Sequence, residues 1–103
     1  MVGRHAKARE LYDKSCTDKY VPACTALADL YVNGDGVDKD YARARQLFSA
    51  SCEAGDAAAC GSLGWMHETG KGTPKDPERA RELYTKACRA GLKLACEKLT
   101  SAP

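Results

Sequence analysis

The chain has 103 residues, with 16 Lys and Arg against 14 Asp and Glu, for a net charge of +2 with both signs interspersed. Hydrophobic residues make up 44% and charged residues 29%, the balance of a folded domain and not of a disordered chain. That length holds one domain; the basic residues form no dominant cluster for nucleic acid, and no apolar run approaches the roughly 20 residues of a bilayer span.

Alanine is the commonest residue, while Phe and Trp occur once each, which favours close-packed helices over a β-sandwich. A first helix is predicted over 5–17, with Ala8, Leu11 and Tyr12 at helical spacing. The turn Asp18-Lys19-Tyr20-Val21-Pro22 leads into a second over 22–32, where Pro22 suits a first helical turn. Asn33-Gly34-Asp35-Gly36 is a loop, and Asp40 is placed to cap a third helix over 41–53. Gly55 is predicted to end that helix and Asp56 to cap a fourth over 58–68. Thr69-Gly70-Lys71-Gly72 is the next loop, Asp76 caps a fifth helix over 77–89, and Gly91 precedes a sixth over 93–100.

The six cysteines, at 16, 24, 52, 60, 88 and 96, lie alternately 8 and 28 residues apart, a period of 36. The rest of the chain keeps that period. It superposes Arg9, Arg45 and Arg81, then Leu11, Leu47 and Leu83, then Tyr12, Phe48 and Tyr84, and finally Leu27, Leu63 and Leu99. Residues 6–41 and 42–77 agree at 13 of 36 positions. Chance would give about two to four. A single domain of three units, about 6–41, 42–77 and 78–103, is therefore expected.

Along one continuous helix, eight residues would hold two cysteines about 12 Å apart, beyond the reach of a disulfide. With a turn between them the bridges Cys16–Cys24, Cys52–Cys60 and Cys88–Cys96 become possible, and this is the pairing that gives every unit the same bond. Zinc sites use closer spacing and add histidines, while buried free thiols remain the simpler alternative. Three identical pairs favour disulfides, hence the periplasm or the cell exterior. No signal peptide is visible after Met1, so the chain is expected to be a mature form, a trimmed form or a fragment of a longer array.

A 36-residue two-helix unit with Ala44-Arg45-Gln46-Leu47-Phe48 early, Leu63-Gly64 midway and Gly70-Lys71-Gly72 at its end resembles the Sel-one-like repeat, a relative of the tetratricopeptide repeat. The paired cysteines are similar to those of the cysteine-rich branch found in Helicobacter. The resemblance implies an all-α, right-handed α/α solenoid of three helix-hairpin repeats with one disulfide per hairpin. It implies a scaffold or adaptor for a protein or peptide partner, without cofactor. It also carries an alternative, a cell-envelope penicillin-binding protein or weak β-lactamase. Two departures stand out: Arg4 where later units have Asp40 and Asp76, and an end at Pro103 before any G-x-G.

The residues themselves supply no catalytic set. No serine has a lysine three positions later, His5 and His67 are the only histidines, and Gly70-Lys71-Gly72-Thr73 lacks the order of a phosphate loop. The candidate partner-binding residues are Arg9, Arg45 and Arg81, a ladder able to hold a carboxylate, and Trp65. Competing with that role, the arginines would pair locally with Asp40, Asp76 and Glu78. Trp65 falls in register with Asp29 and Ser101, which suggests an outward position, against packing on a neighbouring helix. His67 falls in register with Tyr31 and is expected to pack between units.

Overall fold

The computed structural model describes residues 2–35 and 37–100, with side chains from residue 7 onward. Six helices follow in order: α1 (Val2–Thr17), α2 (Val21–Asn33), α3 (Tyr41–Glu53), α4 (Ala57–Thr69), α5 (Pro77–Arg89) and α6 (Lys93–Thr100). No strand occurs among the described residues. The expected helices are all present, with α1 starting earlier, at Val2. The side chains of Arg4 and His5, and Gly36 and Pro103 altogether, lie outside the described part.

Local chemistry sets the helix ends. Asp40 and Asp76 each accept a hydrogen bond from the backbone N–H three residues on, at 3.0 Å from Arg43 and 3.1 Å from Arg79. Asp56 accepts from the Ala58 N–H at 3.1 Å. Each carboxylate satisfies a donor that the first helical turn leaves unpaired and faces the positive end of the helix dipole. α2 has no such side-chain cap and carries Pro22 in its first turn instead. Gly34 and Gly70 close α2 and α4 by donating to the Leu30 and Met66 carbonyls, both at 2.8 Å. The end of α3 differs by one residue from expectation: Ala54 is the cap, and the left-handed turn falls on Gly55 after it.

That turn recurs in every hairpin, at Lys19 (φ 67°), Gly55 (φ 97°) and Gly91 (φ 103°). Only Lys19 carries a Cβ there, and a left-handed backbone costs such a residue about 1–2 kcal/mol. Lys19→Gly is expected to stabilise the protein by about 0.5–1 kcal/mol, after allowing for the freedom glycine adds to the unfolded chain. A rise in the urea midpoint at unchanged slope would report it. An unchanged or lower midpoint would mean that Lys19 bears no strain.

Each hairpin is closed by its own disulfide: Cys16–Cys24, Cys52–Cys60 and Cys88–Cys96, with Cα atoms 4.6, 4.6 and 4.8 Å apart. No described cysteine is free. The hairpins stack because the second helix of one unit packs on the first helix of the next, α2 on α3 and α4 on α5. The period of 36 therefore places the same side chains in every joint. Ala44, Leu47 and Phe48 on α3 are buried, as are Ala80, Leu83 and Tyr84 on α5. They meet Leu27 and Ala28 from α2, and Leu63 and Met66 from α4, in one continuous core. Alanines at 28, 44 and 80 leave little between the helix axes, so the large side chains beside them fill the joints. The result is an elongated helical solenoid of 44 × 23 × 20 Å.

Tyr84 is Phe48 with a hydroxyl, and the fold uses that atom. The hydroxyl donates to Glu68 Oε1 at 2.8 Å, and the Lys98 ammonium donates to the same oxygen at 3.1 Å. The Tyr84 bond, then Lys98, hold the Glu68 carboxyl below its usual range despite opposing desolvation, while burial and Glu68 push the phenol up. This links α4, α5 and α6 around a buried ring.

Candidate functional site

The arginine ladder stands in register on α1, α3 and α5, with Arg9 and Arg45 half-buried and Arg81 exposed. None of the three joins an ion pair among the described residues, where the pairs are Arg79–Glu82 and Lys98–Glu68, both at 3.1 Å. The local pairing expected with Asp40 and Asp76 does not form, because those carboxylates are turned to the backbone N–H groups of α3 and α5. Arg81 lines a shallow depression with Pro77, Glu78, Glu82 and Thr85, so two carboxylates already flank it.

His67 is half-buried at the end of α4, and its carbonyl accepts the Asp76 N–H at 2.8 Å. Tyr31 does the same for the Asp40 N–H at 2.9 Å, so both residues close the loop between units. The His67 Nδ1 is buried without a hydrogen-bond partner. Burial, then the charges of Arg79 and Arg45, hold the imidazole below its ordinary range against the opposing pull of Asp76. These effects favour the neutral form of the ring.

Trp65 lies elsewhere. It is half-buried against the core, and the Lys71 ammonium stands 5.4 Å from its ring centroid and 5.6 Å from that of Tyr41. Lys39 stands 5.8 Å from the same Tyr41 ring. The tryptophan forms one wall of a groove of about 280 Å³ between α4 and α6, whose other walls include Gly61, Tyr84, Leu92, Leu94 and Lys98. None of the three arginines lines it. The sequence thus pointed to one element of this groove and missed the rest. Leu92 and Leu94 are separated from Trp65 by a whole helix, and only the 36-residue register could have connected them.

Among the described residues no group of His, Cys, Asp or Glu is placed to hold a metal ion, and no helix is long and apolar enough to cross a membrane. The described residues present an α/α-repeat surface that includes this largely apolar groove. These features define a helical-repeat protein of the hairpin type. The family model for the Sel1 repeat matches residues 21–56 and 57–92, and the chain belongs to that family. The model frames the same 36-residue period from α2 to α3, starting at Val21.

Solved structures agree. Helicobacter pylori cysteine rich protein B is 35% identical, with a TM-score of 0.83 over 88% of this chain and 68% of that one. A protective antigen of uropathogenic Escherichia coli with an SLR fold, c5321, is 31% identical, with a TM-score of 0.88 over 91% of this chain. A Sel1 repeat protein from Oxalobacter formigenes is 29% identical, with a TM-score of 0.86 over 91% of this chain. The chain spans 20% of the Escherichia coli protein and 38% of the Oxalobacter protein. No curated protein sequence gives a significant match.

Proposed function

We propose that the chain is a non-catalytic scaffold that holds a protein or peptide partner in an oxidising compartment, the periplasm or the cell exterior. Sel1 repeats are typically protein-interaction scaffolds, and the observation that carries the reading here is the stapled stack itself. Three hairpins, each pinned by its own disulfide, hold a 44 Å surface in one shape. A surface fixed in advance avoids much of the ordering cost that binding otherwise imposes. The same bonds, which persist outside the reducing cytosol, and the likeness to the Helicobacter cysteine-rich protein support that compartment.

The test compares two baits, the oxidised protein and the same chain reduced and alkylated, against an envelope extract of the source cell. The oxidised bait is expected to retain a defined protein that the unfolded bait does not, as read by quantitative mass spectrometry. Identical capture by both baits would remove the scaffold reading. Turnover of nitrocefin above buffer, abolished by a single substitution that leaves the fold intact, would overturn the non-catalytic part.

A further inference from the structure

Successive units carry equivalent positions where their second helices meet, and the chemistry at the two sets is opposite. In the first, between α2 and α4, the Thr25 hydroxyl donates to Oδ2 of Asp56. Asp29 stands nearby, its carboxyl raised above the usual range by burial and by the Asp56 charge. One repeat later Thr25 becomes Gly61, Asp56 becomes Leu92, Asp29 becomes Trp65 and Asp35 becomes Lys71. Three carboxylates give way to two apolar side chains and a lysine.

Folding does not ask for this change, since at the first set of positions a polar pair, Thr25 and Asp56, joins α2 to the start of α4. Leu94, at the mouth of the α4–α6 groove, is 68% exposed and contributes little to the core. Gly61 makes the groove possible: a Cβ there would lie 2.7 Å from Leu92 Cδ2, so the missing side chain lets Leu92 close the floor. The 280 Å³ space falls just below the roughly 300–1,000 Å³ of pockets for whole small molecules and suits one inserted side chain. The Lys71 ammonium stands over the Trp65 wall and Lys98 lines the groove, with Glu68 beside Lys98. Lys98 is engaged with Glu68, so the attraction for anions comes from the balance of the surface and not from a free ammonium.

We propose that the α4–α6 groove docks a partner segment that inserts one apolar side chain between Trp65, Leu92 and Leu94 and carries carboxylates on either side of it. The proposal rests on the scaffold reading and adds the partner's chemistry. The equivalent positions one repeat earlier carry Asp29, Asp35 and Asp56, which repel the same segment.

Trp65 is the single tryptophan, so its fluorescence reports on the groove directly. The probe is a synthetic peptide with a central leucine flanked by glutamates, titrated to about 1 mM. Its controls carry alanine at the centre or lysines at the flanks. The first peptide is expected to give a saturable change in emission, with both controls at least about tenfold weaker. Leu94→Glu, at an exposed position that the fold tolerates, is expected to weaken binding about tenfold or more without change in circular dichroism. No saturable change, equal binding of the lysine-flanked control, or an unaffected Leu94→Glu variant would each overturn the groove assignment. If Leu94→Glu still captures the wild-type partner from extract, the groove is wrong and the scaffold stands. If the native chain captures nothing specific, the scaffold reading fails while the peptide titration still decides the groove.

Discussion

Full reduction of the three disulfides is expected to unfold the protein at room temperature. Each bridge closes a loop of nine residues, and loop-closure entropy assigns such a loop roughly 2–3 kcal/mol. Three of them together come to about 6–9 kcal/mol, comparable with the roughly 5–15 kcal/mol that holds a whole domain folded. The bridges are also unequal in access. Cys52 and Cys60 are buried in the middle hairpin, whereas Cys16, Cys24, Cys88 and Cys96 are half-buried. Under mild reductant, alkylation followed by mass spectrometry should find the outer pairs opening before Cys52–Cys60. Replacing both Cys52 and Cys60 by alanine should lower the unfolding free energy by about 2–4 kcal/mol, measured by urea denaturation. A reduced chain that keeps its helical signal and its cooperative melt would show that the stack holds without the staples.

The repeat made most of the fold legible. Helix starts could be read because Asp40, Asp56 and Asp76 each precede a helical pattern at the position where a carboxylate can accept an unpaired N–H. The hairpin turn was legible in all three units, through Gly55, Gly91 and the stretch 18–22, but the left-handed backbone at Lys19 was not, because no glycine marks it. Side-chain pairing was less accessible. Thr25 reaches Asp56 across 31 residues and Tyr84 reaches Glu68 across 16, and nothing local marks those residues among other polar ones. The local pairing of the arginine ladder with Asp40 and Asp76 is absent for a reason the sequence did mark, since those carboxylates are committed to helix caps.

The equivalence of positions across units makes a sharp quantitative prediction, because burial along the stack depends on which neighbour covers a side chain. Phe48 on α3 lies beneath α2 and is 1% exposed, and Leu47 beside it is 8% exposed. Tyr12 and Leu11 hold the same two positions on α1, where no described helix covers them, and they are 37% and 66% exposed. Phe48→Ala removes a ring from a packed joint and should cost about 3–5 kcal/mol, from lost transfer energy and the cavity left behind. Tyr12→Ala removes a ring of similar size from a half-open surface and should cost less than about 1 kcal/mol. Leu47→Ala against Leu11→Ala should repeat the contrast, at about 2–5 kcal/mol for the buried member. Urea midpoints of the four variants, compared at a common slope, measure the difference. Equal losses at Phe48 and Tyr12 would mean that something covers α1 in solution, and a concentration-dependent midpoint of the Tyr12 variant would then identify that cover as a second copy of the chain.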